Sequence, residues 1–114
     1  MSANTPEAVE ACHELIVWLV PLLDHFPRSR RFTLGQRLEG GLLEVLEGLV
    51  EAAYSRRPGD PLRVANRKLQ VVRHVWRACH ELGVIPARRY EPGAERMVSI
   101  GRQIGGWQRS RPYD

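Results

Sequence analysis

Apolar side chains recur along this sequence at intervals of three or four residues, and no stretch alternates between apolar and polar positions as a strand would. Prolines and glycines divide the pattern into four stretches, which predicts helices at about residues 6–26, 29–55, 61–82 and 87–109. Helices of this length with short connections favour an all-α fold, an up-down-up-down antiparallel four-helix bundle. We therefore predict a single four-helix-bundle domain that spans residues 1–114.

Capping residues place the predicted helix ends. Thr5 and Asp60, each followed by a proline, are the predicted N-caps of the first and third helices. Ser29 or Thr33 is predicted to cap the second helix, and Gly83 is predicted to end the third.

The first predicted helix has glutamates on one side and an apolar face on the other. Trp18 falls on the acidic side, so we expect either a lone exposed aromatic or a contact to another chain. Pro21 removes one backbone hydrogen bond and should kink the helix. The predicted core residues are Val9, Cys12, Ile16, Leu19, Val20, Leu23 and Phe26.

The second and third helices each carry two apolar seams. The first seams are Leu38, Leu42, Val45, Leu49 and Ala52 on helix two, and Leu62, Ala65, Leu69, Val72, Trp76 and Cys79 on helix three. The second seams are Leu43, Leu46, Val50 and Ala53, and Val64, Val71, Val75, Ala78 and Leu82. An apolar arc this wide indicates burial on two sides, once inside the bundle and once against another subunit.

The fourth helix carries glycines four residues apart, which should open a groove for a neighbouring helix. Its predicted core face consists of Tyr90, Met97, Ile100, Ile104 and Trp107. Together with the second seam of helix three, these features predict an oligomer. The predicted oligomer and packing residues are Trp18, Val64, Val71, Val75, Gly101, Gly105, Gly106 and Trp107.

The charge of the chain is strongly biased toward arginine. The formal net charge is +4, and 17 residues are basic, with Lys68 the single lysine among them. Guanidinium groups suit phosphate and carboxylate, so nucleic acid or an acidic protein is the expected partner, although a GC-rich genome would also favour arginine codons. Residues 1–27 carry four acids and no lysine or arginine, which suggests a separate face for a protein neighbour.

Arginines concentrate at two places. One is the corner between helices one and two, and the other is a stripe along helix three in which few acids are interleaved. Phosphate binding and a merely solvated charged face both fit such a stripe. No motif for base-specific readout is present. The predicted nucleic-acid-binding residues are Arg28, Arg30, Arg31, Arg37, Arg63, Arg67, Arg73, His74 and Arg77.

Catalytic, metal-binding and membrane roles find little support. The pentapeptide Ala-Cys-His-Glu-Leu occurs twice, but Cys12 and Cys79 should lie at opposite ends of parallel helices, so we expect core cysteines and no metal or cofactor. The histidines have no nucleophile or carboxylate at a telling spacing. The longest apolar run is shorter than the roughly 20 residues that a helix needs to span a bilayer. We expect a cytoplasmic, non-enzymatic protein with reduced cysteines.

Three sequence segments resemble the accessory variability determinant proteins of diversity-generating retroelements, within the four-helix-bundle family of ribosomal RNA intervening-sequence proteins. The segments are FPRSRRFTLGQRL at 26–38, VVRHVWRACHELGVI at 71–85 and IGRQIGGW at 100–107. The resemblance covers about residues 10–109. The matching positions are Pro27, Arg28, Arg31, Phe32, Leu34, Gly35, Gln36, Arg37, Gly101, Gly105, Gly106 and Trp107.

The resemblance implies a basic homopentamer that binds RNA or DNA and the reverse transcriptase, and supports mutagenic copying of a template RNA into complementary DNA. Two departures from the family pattern are Pro21 and the pair Pro92-Gly93, and the second leaves the start of helix four anywhere between residues 86 and 92. The alternative is an oligomeric protein-interaction scaffold of the same fold without a retroelement role.

Overall fold

The structure, a computed structural model, describes residues 6–112. Helices account for nearly all of this range, and no strand occurs within it, so the all-α prediction is confirmed. The four main helices are α1 (Glu7–Leu19), α2 (Gln36–Ala53), α3 (Gly59–Glu81) and α4 (Ala87–Ser110). They form a helical bundle with principal extents of 44 × 24 × 22 Å. Across residues 6–112, no helix combines the length and the apolar character needed to cross a membrane.

Helix α1 continues as a 3-10 helix over Val20–His25, with Pro21 at its start. Proline lacks the N–H that an α-helical turn would use, and the tighter 3-10 turn accommodates the loss. The chain then becomes extended at Phe26, whose ring is buried. The predicted cap Thr5 lies outside the described residues, and Pro6 at the N-cap position provides no side-chain cap.

Between Pro27 and α2 the backbone stays helical but changes its winding. A short α-helical turn, Arg28–Arg30, leads into a π-helical segment, Arg31–Gly35, which runs directly into α2. The prediction that Ser29 or Thr33 caps this helix is wrong. The Thr33 hydroxyl instead donates back to the carbonyls of the preceding turn, 3.3 Å from the nearer one, because the helix has already begun before it.

Both ends of α3 are set by backbone chemistry. The predicted cap Asp60 is wrong, because the helix already begins at Gly59 and the Asp60 carboxylate pairs with Arg63. At the other end Gly83 adopts a φ of +76°, and its N–H donates to the His80 carbonyl at 3.0 Å. The Val84 N–H donates to the Cys79 carbonyl at 2.8 Å, completing a Schellman motif, so Gly83 ends the helix as predicted.

Helix α4 runs unbroken from Ala87 through Pro92 to Ser110. A close contact with α3 explains why Gly93 follows that proline. A Cβ atom on Gly93 would lie 2.7 Å from the indole ring of Trp76, which is fully buried. Only glycine leaves room for this ring against the backbone of α4.

The core is made from one apolar seam of each helix. In α2 and α3 the first of the two apolar seams is buried throughout. In α1 the prediction is partly wrong, because Leu15 is fully buried whereas Ile16 and Val20 are only half-buried. In α4 Met97, Ile100 and Ile104 are buried, but the other two predicted core residues are half-buried.

Each helix packs against two others. Helix α1 contacts α2 and α4, and α3 contacts the same two helices on the other side of the core. The α2–α3 contact is close, because a Cβ on Gly41 would lie 2.7 Å from the Val72 side chain and one on Gly48 would lie 3.0 Å from the Cβ of Ala65. This packing fixes which outer surfaces of α2 and α3 remain open.

Candidate nucleic-acid interface

The corner that precedes α2 presents four arginines to solvent. Arg28, Arg30, Arg31 and Arg37 are all exposed, and they lie just before, within or just after the π-helical segment. Within residues 6–112, Arg31 forms an ion pair with Asp24, with the two side chains 3.0 Å apart, whereas the other three form none. The corner therefore offers three guanidinium groups without a carboxylate partner in the described part of the chain.

The corner is anchored to the core by its neighbours. Phe26 on one side and Leu38 on the other are buried, and Gly35 is buried where a Cβ would lie 3.6 Å from the Phe26 ring. These contacts hold the basic turn against the bundle, so its side chains project from a defined backbone rather than from a loop.

The basic stripe of α3 is also at the surface, but three of its four arginines have side-chain partners. Arg63 pairs with Asp60, and the Arg77 Nε donates to Glu81 at 2.8 Å. The Glu81 carboxylate raises the pKa of Arg77 above its usual value by hydrogen bonding and attraction. Arg67 and His74 are exposed, and neither forms an ion pair within residues 6–112.

Part of the stripe lines a small cavity between α3 and α4. Arg73, His74 and Arg77 border a space of about 170 Å³ together with Tyr90 of α4. The Arg73 guanidinium is half-buried and donates to the Gln70 side chain at 3.0 Å. The structure thus brings three of the predicted phosphate-binding residues together at one place.

A stack of rings fixes the α4 wall of this cavity. Tyr90 lies against His80 with ring centroids 4.6 Å apart, and against Trp76 at 6.3 Å. The Trp76 indole N–H donates to the Tyr90 carbonyl at 2.9 Å. Tyr90 was predicted to belong to the core face, but its side chain is half-buried and faces the basic cavity. Sequence periodicity gave no signal for this ring stack, because it links residues of different helices.

Arg37 lies at a second place, separate from the stripe cavity. It borders a groove of about 510 Å³ between α2 and α3, whose floor includes Val71 and Val75. An ion pair between Lys68 and Glu44, 3.5 Å long, crosses the same groove. The nine predicted nucleic-acid-binding residues therefore do not converge on one pocket, and they occupy two surfaces, the corner and the α3 stripe.

The second apolar seams of α2 and α3 remain partly open. Val71 is 44% exposed, Val64 and Val75 are half-buried, and Leu43, Val50 and Leu82 are exposed. In α4 a Cβ on Gly101 would make ordinary contact with Leu69 at 3.8 Å. At Gly105 the nearest atom would come from Arg109 of the same helix, so no other described helix approaches this position. Gly106 and Trp107 border an open hollow beside Ala8.

Trp18 corrects one of the sequence predictions. Its ring is half-buried and meets the Trp76 ring edge-on at 6.5 Å, while the Arg96 guanidinium lies 5.2 Å from its centroid. Trp18 is therefore not a lone exposed aromatic. The indole is wide enough to reach from the acidic side of α1 to the α3–α4 packing, which a helical projection of α1 alone does not reveal.

The two cysteines lie in the core. Both are buried, and burial raises the pKa of the Cys12 thiol to about 12 and that of Cys79 to about 11. Thiols that stay protonated at neutral pH are poor nucleophiles and poor metal ligands. Across residues 6–112, no group of three or more His, Cys, Asp or Glu side chains is arranged to hold a metal ion.

Phe32, one of the positions that match the family pattern, is exposed at the corner. Phe32 is 61% exposed, and the Arg31 guanidinium lies 5.8 Å from its ring centroid. The sequence signal for this residue is an apolar side chain among arginines. The segment has no apolar periodicity that would predict its burial in the core.

Comparison with known proteins bears on the same segments. No curated protein and no solved structure matches the chain. A model of the bAvd-like family matches residues 8–111, which include the corner, the stripe and the glycines of α4. The match confirms the resemblance drawn from the three segments. On this evidence of sequence and helical architecture, the chain belongs to the bAvd-like family.

Proposed function

We propose that this protein is a non-enzymatic accessory protein of a diversity-generating retroelement. In this role it binds the template RNA or its complementary DNA, together with the reverse transcriptase, and supports mutagenic reverse transcription. The observation that carries the proposal is the pair of exposed arginine surfaces on a chain of the bAvd-like family. Arginine clusters bind phosphates by releasing counterions, without reading sequence.

The proposal includes an up-down-up-down topology and assembly into a homopentamer in the cytoplasm. The open apolar side chains of α2 and α3 supply a surface for contacts between copies. Five copies of a chain with a net charge of +4 would carry +20, so phosphate contacts would act together. A light-scattering mass well above 13.0 kDa supports the oligomer, and a monomer mass at micromolar concentration contradicts it.

The exposed side of α1 is the proposed contact for the reverse transcriptase. Glu7, Glu10 and Glu14 are all exposed and would complement a basic polymerase surface. Changing the three glutamates to lysine should abolish co-purification with the reverse transcriptase and leave RNA binding intact. Undiminished co-purification would place the contact elsewhere.

Charge reversal of the stripe tests the nucleic-acid role. The triple variant R67E, R73E and R77E should lose binding to structured RNA and duplex DNA while keeping its helical circular dichroism. A matched triple, R88E, R89E and R102E, makes the same change in net charge at exposed arginines outside the corner and the stripe. Equal loss in both variants would show that overall charge, and not this surface, governs binding.

An oligomeric protein-interaction scaffold is the second candidate, favoured by the open apolar seam of α3. The two candidates differ in a simple property of the purified protein. A retroelement accessory protein should bind RNA at about 50 mM salt. Its affinity should fall by a factor of order 10³ or more when the salt concentration is raised to about 200 mM. The absence of any binding at low salt would favour the scaffold.

A further inference from the structure

The corner combines an exposed aromatic ring with the least compensated arginines described above. Phe32 keeps 61% of its surface exposed, although a phenylalanine gains free energy from burial and the core lies within reach of its neighbour Leu34. Its surroundings are basic, since Arg28, Arg30 and Arg31 all lie within four residues and all are exposed. An exposed ring in a basic surface suits a partner that has a flat apolar face and carries negative charge beside it.

The winding of the helix places arginines on both sides of this ring. Arg28 precedes Phe32 by four residues, about one α-helical turn. Arg37 follows by five residues, just after the wider π-helical segment Arg31–Gly35. Both arginines are exposed, and they flank the ring along the helix, one before it and one after it.

Arg31 contacts the ring directly. The Arg31 guanidinium lies 5.8 Å from the centroid of Phe32, within cation–π distance, and its charge is balanced by Asp24 at 3.0 Å. The ion pair restrains Arg31 on one side of the corner. The ring is thus held in place while Arg28, Arg30 and Arg37 stay available to phosphates.

We propose that Phe32 is a stacking site for an unpaired base, with Arg28 and Arg37 holding the phosphates on either side of it. The site rests on the proposed nucleic-acid binding and makes it more specific, because it selects single-stranded segments over duplex. Bases inside a duplex are stacked on one another and cannot reach the ring, whereas any unpaired base presents a flat face to it. Stacking of this kind tolerates any base, in keeping with the lack of a motif for base readout.

The test compares single-stranded and duplex nucleic acid on matched variants. An oligouridine strand that carries one 2-aminopurine serves as the probe, because stacking quenches the fluorescence of that base, and a duplex of the same length serves as the reference. F32A should weaken single-strand binding by roughly 5- to 100-fold and lose the quenching, with little change for duplex. F32W should retain both the binding and the quenching, because it keeps an aromatic face.

The chain provides a closely matched control in Val17, which is 62% exposed on α1. V17A also removes an exposed apolar side chain, but far from the arginines in sequence, and should change neither affinity. A second control, R28Q with R37Q, should weaken single strand and duplex alike and reduce the salt dependence of binding. Circular dichroism and the thermal midpoint confirm that each variant folds.

Each other outcome overturns the assignment in a recognisable way. Unchanged single-strand affinity in F32A would show that no base stacks on the ring. Equal losses for single strand and duplex would show that Phe32 only supports the arginines. Intact binding with a lower oligomer mass would make the ring a contact between copies. If the unaltered protein bound neither probe at about 50 mM salt, the nucleic-acid function itself would fail, and not only this site.

Discussion

The corner and the α3 stripe have similar numbers of arginines, but they differ in how those arginines are paired. At the corner three of four arginines form no ion pair within residues 6–112. Along the stripe Arg63 and Arg77 meet acids of their own helix, and Arg73 donates to Gln70. A phosphate that approaches Arg63, Arg73 or Arg77 must displace a partner, whereas one that approaches the corner meets three arginines with no ion pair in the described part of the chain.

The difference shows that a count of arginines overstates the charge available to a ligand. Surface ion pairs are weak, so pairing lowers the gain from a phosphate contact without abolishing it. The stripe also has a property that the corner lacks, since Arg73 and Arg77 border a cavity with an aromatic wall. We expect the corner to dominate affinity and the stripe to orient what is bound.

The largest expected effect on RNA affinity comes from neutralising the arginines of the corner and those of the stripe in separate variants. The variant R28Q, R30Q and R37Q should lose roughly 100-fold or more in RNA affinity at about 50 mM salt, with the slope of log affinity against log salt falling by about 2 to 3. R63Q, R73Q and R77Q makes the same charge change at partnered arginines and should lose only about 10-fold. Fluorescence anisotropy over a salt series measures both values, and equal losses would remove the distinction between the surfaces.

The next largest effect is expected from a change in the packing between α3 and α4, beneath the α3 stripe. G93A places a Cβ against the rigid Trp76 ring, and overpacking of this kind should lower the free energy of unfolding by about 1–3 kcal/mol. The control G40A adds the same methyl group where no atom lies within 4 Å, and should raise the free energy of unfolding by about 0.5–1 kcal/mol. Urea unfolding measures both, and an unchanged G93A would mean that the ring moves aside at little cost.

The smallest expected effect on RNA affinity comes from removing the ion-pair partner of one corner arginine. D24N removes the partner of Arg31 and should raise RNA affinity about two- to five-fold at low salt, an effect that salt then screens. The control E47Q makes the same charge change at an exposed glutamate with no ion pair in the described part of the chain. A gain of equal size in E47Q would indicate that net charge alone was responsible.

Helical periodicity identified two apolar seams on each of α2 and α3, and one seam of each helix lies in the core. Each apolar position of their first seams is buried, because a spacing of three or four residues places side chains on one face whatever their neighbours are. Capping predictions were less successful, since Ser29, Thr33 and Asp60 do not cap. Pro27 and Pro58 occupy the N-cap positions instead, while Thr33 donates to the preceding turn and Asp60 pairs with Arg63.

The candidate site was predictable in composition but not in geometry. The arginines of the corner and the stripe can be read from the sequence, and so can their exposure, because helices with one apolar face leave charged residues outside. The cavity between α3 and α4 could not be predicted, because it depends on Tyr90 meeting His80 and Trp76 from another helix. The same holds for Trp18, whose contacts lie far away along the chain.

Local sequence patterns account for the helical class of this protein, the seams that could be buried and the places where arginine accumulates, since each depends on residues within a few turns of one another. The packing of the helices established which seams are covered and why α4 passes through Pro92 with Gly93 against the Trp76 ring. These two kinds of feature differ in range. Helix periodicity and the ion pairs that Arg63 and Arg77 form within α3 are local, whereas close packing depends on how separate helices meet.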